Sequence, residues 1–303
     1  MAPSPTPECL LCRSTEHSVV FVELGIDVLR CRACGHVFST FEGEEHYDGY
    51  FGHGRIQAGP RHAYWNEAHE RMYADFARRF LAGRSGRLLD VGCGLGYFLA
   101  QLRGLAGWEL AGCEISASAV EFAQTRLGLA GVRCGQVQAA GLEAASFDVI
   151  TLWDVVEHLK KPDPLLAHLR TLLAPGGILF LHTPNARAQL FKARLKRRLG
   201  GMRPGTHYLE ARDHLHLYSR ATLARLLERC GFERPTFVHL RPIQGVAGQS
   251  AADGTGRLAT AAKNAWYHAA RLLHAASGRR VDVSPSLFAL TTARRSPRAP
   301  GAT

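Results

Sequence analysis

Short apolar runs alternate with amphipathic stretches along the middle of the chain, and the period of each predicts an element. RLLDVG (87–92), WELAGCEI (108–115), GVRCGQV (131–137), FDVITLWD (147–154) and GILFLHTP (177–184) are brief apolar runs bounded by turn residues, the pattern of buried strands. FLAQLRGL (98–105), ASAVEFAQTRL (117–127) and PLLAHLRTLL (164–173) set their apolar residues at helical spacing. Strands alternating with helices predict an α/β chain built on a doubly wound parallel sheet. Ahead of it, Trp65, His69, Met72, Phe76 and Phe80 predict an amphipathic helix over 62–81. Behind it, TLARLLERC and RLATAAKNAWYHAARLLHAA read as helices, FERPTFVHLRP as a sixth strand and SLFALTTARR as a last, antiparallel one.

The N-terminal pattern differs. SVVFVELGIDVLR (18–30) reads as strand with a turn at Gly25, and it separates Cys9-x2-Cys12 from Cys31-x2-Cys34. Two such knuckles let four thiolates close a tetrahedral Zn2+ site, and a segment below about 40 residues needs a staple of that kind. We therefore expect a zinc ribbon over 1–40, with Cys9, Cys12, Cys31 and Cys34 holding a structural metal. Two independent redox pairs are the alternative, disfavoured because no thioredoxin-like βα unit surrounds them. Cys93, Cys113, Cys134 and Cys230 stand in apolar contexts and read as buried packing. A Gly- and Tyr-rich linker over 41–60, a main domain over 61–295 and a tail over 296–303 complete the division.

Composition narrows the class. At 303 residues, 46% hydrophobic and 21% charged, the chain can bury one large core and carry a small appendage. MAPSPTPE has neither a basic n-region nor an apolar h-region, and no apolar run reaches the roughly 20 residues of a membrane span, so a cytoplasmic location is expected. A formal net charge of +11 favours anionic partners, whether nucleic acid, nucleotide-linked substrates or lipid headgroups, without choosing among them.

Candidate chemistry begins in LLDVGCGLGYFL (88–99). Asp90 ends the first strand, and Gly92, Gly94 and Gly96 form a turn that lets backbone approach a ligand closely before a helix starts. The spacing is GxGxG rather than GxGxxG, and no GK[ST] follows to hold phosphates. Glu114 ends the second strand, where a carboxylate can take two ribose hydroxyls. Glycine turn and acid together point to a nucleoside-containing cofactor.

DVGCGLG, CEIS, FDVITLWDVVEHL and LLAPGGILFLHTPN resemble the class I S-adenosylmethionine-dependent methyltransferases over residues 85–242. The resemblance implies a Rossmann-like seven-stranded sheet and S-adenosyl-L-methionine as methyl donor. It assigns Asp90, Gly92, Gly94 and Gly96 to the methionine part of the donor and Glu114 to its ribose. Gln136 stands where the family often has an acid near the adenine amino group, and its carbonyl can accept the same hydrogen bond. Trp153 and Asp154, at the end of the fourth strand, fall on the donor side; Trp153 reads equally as a core residue.

A hydroxyl acceptor must also lose its proton. Asp154, Glu157, His158 and His182 lie near strand ends, and His158 is the first choice of base because its unperturbed pKa of about 6.5 suits neutral pH. The alternative is that His158 packs under the cofactor. Further on, Ser219 caps a helix that Gly231 ends, and His214, His216 and Tyr218 alternate, so in an extended segment all three face one side. This stretch resembles the EHLHYFS-like segment of a methyltransferase subset that also carries a four-cysteine ribbon and a Y-x-x-Y-F stretch, here Tyr47, Tyr50 and Phe51. Many relatives in that subset modify sugars, surface polysaccharides or secondary metabolites, which implies an acceptor-side role for His214, His216 and Tyr218.

ARAQLFKARLKRRLGGMRP (186–204) carries seven Lys or Arg and no acid, with Leu190, Phe191, Leu195 and Leu199 at helical spacing. It reads as a basic amphipathic helix that rests on anionic lipid, covers a phosphate-bearing substrate or stands as a solvated lid. The leading functional reading is methyl transfer to a small-molecule acceptor, anionic acceptors included, at a hydroxyl of a sugar or secondary metabolite. RNA is disfavoured as acceptor by the lack of an NPPY-like motif and by a ribbon loop that is acidic or apolar. A ubiquinone-type O-methyltransferase matches the core motifs but not the ribbon. A noncatalytic cofactor-binding module is disfavoured by the intact glycine turn and ribose acid. Oligomeric state has no signature in the chain.

Overall fold

The computed structural model describes residues 7–43, 61–201, 208–244, 254–278 and 280–294. The predicted linker beyond Gly43, with Tyr47, Tyr50 and Phe51, and the tail over 296–303 lie outside the described residues.

The alternating runs become a seven-stranded sheet. Its strands are β4 (Gly86–Val91), β5 (Trp108–Glu114), β6 (Val132–Cys134), β7 (Phe147–Trp153), β8 (Leu173–Pro184), β10 (Thr236–Val238) and β11 (Ser286–Thr292), in the order β10-β11-β8-β7-β4-β5-β6. The five central and early strands pair in parallel, while β11 and β10 close one edge antiparallel. Leu88, Leu89, Val149, Ile150, Leu179 and Leu181 are wholly buried, as expected for parallel strands covered on both faces. The order reverses beside β4, which places the carboxyl ends of β4, β5 and β7 around one crevice.

Seven helices flank the sheets: α1 (Arg61–Phe76), α2 (Tyr97–Leu102), α3 (Ala117–Thr125), α4 (Pro162–Leu172), α5 (Ala186–Gly200), α6 (Arg220–Arg229) and α7 (Gly254–Ala276) among the described residues. The helix predicted over 62–81 is α1 continued by a π-helical turn, Ala77–Leu81. Its Met72 and Phe76 are buried, and Phe76 meets Phe98, Trp153 and Phe180 at ring distances of 5.6, 5.5 and 4.6 Å. Ser219 caps α6 in a reciprocal capping box with Thr222.

The N-terminal segment forms β1 (His17–Glu23), β2 (Ile26–Cys31) and β3 (Val37–Ser39), a meander whose fourth strand comes from far along the chain. That strand is β9 (His216–Leu217), with Val37 opposite Leu217 and Phe38 opposite His216. The ribbon and main domain thus share a sheet across the predicted 1–40 and 61–295 division. Buried Glu23 reinforces the seam: Oε1 accepts from the backbone N–H groups of Tyr208 and of Leu209 (2.9 Å), and Oε2 from Ala211 (2.7 Å). Ser39 Oγ donates to Ala211 O at 2.5 Å, and Arg229 Nη1 to Leu10 O at 2.6 Å. Three backbone donors on one carboxylate offset the cost of burying its charge.

Cys9, Cys12, Cys31 and Cys34 come together with sulfur separations of 3.5 Å (Cys9–Cys34) and 3.4 Å (Cys12–Cys31), all four within 4.8 Å of one another. Of the other cysteines, Cys93 and Cys113 are buried and Cys230 half-buried, but Cys134 is exposed. The apolar context misleads there because β6 is an edge strand.

Candidate active site

At the crevice beside β4 lies a cavity of about 650 Å3 whose wall includes Asp90, Gly92, Gly94, Glu114, Gln136, Trp153, Asp154 and His158. One end is built from backbone. Gly92, Gly94 and Gly96 have φ of 71°, 52° and 82°, a left-handed conformation that side-chain-bearing residues rarely adopt. A Cβ at Gly92 would lie 2.7 Å from Val155 Cγ2, and one at Gly96 2.6 Å from Leu129 Cδ1. Gly92 N–H donates to Cys113 O at 2.8 Å, which ties the loop to β5.

Glu114 has a structural duty that sequence reasoning missed. Its Oε2 accepts from Gly94 N–H and its Oε1 from Ser116 N–H, both at 2.9 Å, so the carboxylate shapes the loop while lining the cavity. Asp90 is buried below the loop and accepts from Thr151 Oγ1 at 2.6 Å. Burial pushes its carboxyl up to about 8, the Thr151 bond opposes this, and the charge of Glu114 adds to it. Gln136 is exposed on the cavity rim beyond β6.

Trp153 satisfies both of its sequence readings. It lines the cavity and also sits in an aromatic cluster, 4.9 Å from Tyr73, 5.1 Å from Phe98 and 4.7 Å from Phe180. Asp154 follows with φ 54°, and its Oδ2 lies 3.0 Å from His182 Nδ1. Burial would raise the Asp154 carboxyl, but His182, His69 and His158 together hold it well below the usual range. His182 is itself buried against Phe288, 4.8 Å between rings, away from the cavity wall.

The other end is built from side chains. His158 lines the cavity with Nδ1 2.9 Å from Asp213 O, and burial, with His214 second, lowers its pKa to about 4 against the opposing charge of Asp154. The imidazole is neutral at pH 7, a weaker base than its unperturbed value implies. His214 stands beside it, 4.9 Å between ring centroids.

His216 and Tyr218 do not share that place. His216 is buried with Nδ1 3.1 Å from His36 Nε2, and wholly buried Tyr218 packs 5.2 Å from the same His36 ring. None of His214, His216 and Tyr218 is itself on the cavity wall, and only His214 neighbours a wall histidine. The alternation expected to aim three residues at an acceptor is broken because only His216–Leu217 is strand, and β3 turns that strand toward the ribbon. His69 and Tyr73 of α1, Phe41 at the ribbon's end, and Lys160, Lys161 and Arg212 are wall residues that the sequence did not single out. Lys160-Lys161 directly after EHL was the one local signal, a charge pair at a strand's carboxyl end.

A parallel sheet with its glycine loop and acid at the crevice defines an α/β enzyme of the Rossmann-like methyltransferase class. The family model described as "Methyltransferase domain" matches residues 64–234, and the chain belongs to that family of S-adenosylmethionine-dependent methyltransferases. Among curated relatives, a ubiquinone biosynthesis O-methyltransferase of Burkholderia lata is 31% identical over 178 residues, 56% of this chain and 71% of that protein. The Burkholderia multivorans protein of the same name is 31% identical over 174 residues, 55% of this chain and 69% of that one. Among solved structures, Haemonchus contortus phosphoethanolamine N-methyltransferase 2 in complex with S-adenosyl-L-methionine shares the fold at TM-score 0.52 and 15% identity, over 86% of this chain and 62% of that one.

Proposed function

We propose that the chain transfers the methyl group of S-adenosylmethionine to a hydroxyl of a small anionic metabolite. The observation that carries this reading is that the glycine loop with Glu114 and the His158 end with Lys160, Lys161 and Arg212 open on one cavity. The donor supplies an already activated sulfonium methyl, so the protein's task is alignment and exclusion of water. Glu114 sets negative charge toward the donor's ribose, Asp90 beneath the loop ionises as the donor's cationic parts arrive, Gln136 meets the adenine edge, and Trp153 with Tyr73 and Phe98 forms the apolar wall. Lys160, Lys161 and the exposed Arg212, whose guanidinium lies 5.6 Å over the Phe41 ring, suit a phosphate or carboxylate on the acceptor.

A nucleotide-linked sugar or an acidic secondary metabolite meets both demands. A second reading, a hydroxylated aromatic acceptor of the ubiquinone-precursor kind, is favoured by the names of the curated relatives and by the apolar wall. Methyl-transfer assays with labelled S-adenosylmethionine separate the two: nucleotide sugars and polyhydroxylated benzoates are tested side by side, with RNA as a third acceptor. Turnover of RNA alone would overturn both small-molecule readings.

We further propose that Cys9, Cys12, Cys31 and Cys34 hold structural Zn2+. Their spacing fits, since four sulfurs at about 2.3 Å from a tetrahedral ion lie a little under 4 Å apart. The ion would staple β1–β3 and thereby hold Phe41 at the cavity. No helix of the described residues is long and apolar enough to cross a membrane. Helix α5 leaves Phe191, Leu195 and Leu199 exposed in a basic background, which supports peripheral contact with an anionic surface.

A further inference from the structure

Methyl transfer as described leaves one cluster at the acceptor end without a role. Glu157 is wholly buried; neither of its carboxylate oxygens makes a hydrogen bond of ordinary geometry among the described residues, and the polar side chains beside it are those of Asp154 and Thr183. One ligand atom each from Glu157, His158 and His214 lies within 4.8 Å of the others. Both imidazoles have Nδ1 beside a backbone carbonyl, His158 at 2.9 Å from Asp213 O and His214 at 3.2 Å from Leu209 O. Such a bond places the proton on Nδ1 and presents Nε2 as the coordinating atom, the outer-shell arrangement typical of metal-bound histidine. Asp154, whose Oδ2 is tied to His182, adds a second carboxylate on the same stretch, and exposed Glu210 lies 3.5 Å from His214 Nε2.

A carboxyl group buried this deeply must be neutralised, by a proton or by a cation. Nearby Lys160 and Lys161 do not meet that need, because both are exposed on the cavity rim. We propose that Glu157, His158 and His214 form a divalent-cation site just behind the cavity wall, reached from the acceptor end through His158, the one of the three that lines the cavity. Two imidazoles and one carboxylate suit a first-row transition ion such as Mn2+, Co2+ or Zn2+. Three protein ligands leave room for oxygen atoms of a substrate.

The proposal rests on the hydroxyl-acceptor reading and narrows it to acceptors with two adjacent oxygens, a vicinal diol or catechol, that chelate the ion. Coordination lowers the hydroxyl's pKa and its proton leaves to water. The oxygen lone pair then forms the new O–CH3 bond as the C–S bond breaks, and that bond's electron pair stays on sulfur, giving neutral S-adenosylhomocysteine.

The test uses the full chain with its four-cysteine site preloaded with Zn2+ and verified by metal analysis. Titration with Mn2+, a poor ligand partner for thiolates, is followed by loss of the free Mn2+ electron paramagnetic resonance signal. One bound Mn2+ per chain is expected. Glu157→Gln and His214→Ala should each weaken it at least about tenfold, while calorimetric S-adenosylmethionine affinity stays within about twofold. Melting curves confirm folding, and the isosteric Glu157→Gln keeps the test valid if His214→Ala does not fold. Absence of bound Mn2+, or equal binding in Glu157→Gln, overturns the site. Methyl transfer to a hydroxyl that persists unchanged after the second metal is stripped overturns the site and leaves the hydroxyl reading standing. Site-specific Mn2+ binding in a protein that methylates no hydroxyl supports the site and overturns the hydroxyl reading.

Discussion

The two ends of the cavity are built by different means. At the donor end, backbone does the work: three left-handed glycines, one carboxylate bridging Gly94 and Ser116, and an acid beneath. At the acceptor end, side chains arrive from α1, from the turn after β7, from the stretch before β9 and from Phe41 beside the ribbon. A backbone site tolerates little change and serves one ligand; a side-chain site can be refitted residue by residue. On the proposed assignment of the two ends, the difference teaches where specificity resides: donor recognition would belong to the fold, acceptor recognition to imported segments.

The sharpest way to break the donor end is Gly92→Val, which combines an unfavourable φ with a Cβ 2.7 Å from Val155. S-adenosylmethionine affinity should fall at least about 100-fold, roughly 2.7 kcal/mol, by calorimetry on protein shown to be folded. Affinity within a few-fold of the parent would mean that the loop is not the donor site.

Titration sharpens the same end with an intermediate effect. Asp90, raised to about 8, holds a proton at neutral pH in the empty cavity, and a cationic sulfonium favours its ionised form. S-adenosylmethionine affinity should therefore climb between pH 6.5 and 8.5, by at most about tenfold per unit, and level off above. Asp90→Asn should flatten the profile. For stability the sign is opposite: between about 4 and about 8 the native state binds a proton that the unfolded chain has released, so this group's contribution falls as pH rises. Thermal melts of the ligand-free protein over that window should show the decline, and Asp90→Asn should remove part of it.

The smallest effect marks what the acceptor end excludes. Tyr218→Phe removes a buried hydroxyl that has no hydrogen-bond partner among the described residues. Stability should be unchanged or higher by about 1 kcal/mol, and the methylation rate should stay within about twofold. A large rate loss with unchanged stability would return Tyr218 to the reacting groups.

The contrast also explains what could be read in advance. The donor loop was legible because its parts lie within one strand–turn–helix–strand stretch, from Asp90 to Glu114, where spacing and geometry are nearly the same thing. The sheet was legible because strands buried on both faces leave unbroken apolar runs. His214, His216 and Tyr218 were misjudged as a set because their orientation depends on β3, roughly 180 residues away, whose pairing no local period encodes. The isolation of Glu157 was equally invisible, since only tertiary packing decides whether a carboxylate finds a donor. For the same reason, His69 read only as one position on a helix face, and Tyr73 was not singled out at all.

The seam around Glu23 and β9 bears on how such a protein can be rearranged. Because the N-terminal meander borrows its fourth strand from residues 216–217 and its buried acid accepts from the backbone at 208–211, it is not a portable module. A chimera that moves the four-cysteine segment onto another methyltransferase must carry the 208–218 stretch with it. Exchange between lineages would then swap the fold's N-terminal cover and the chain beside His158 as one inherited block.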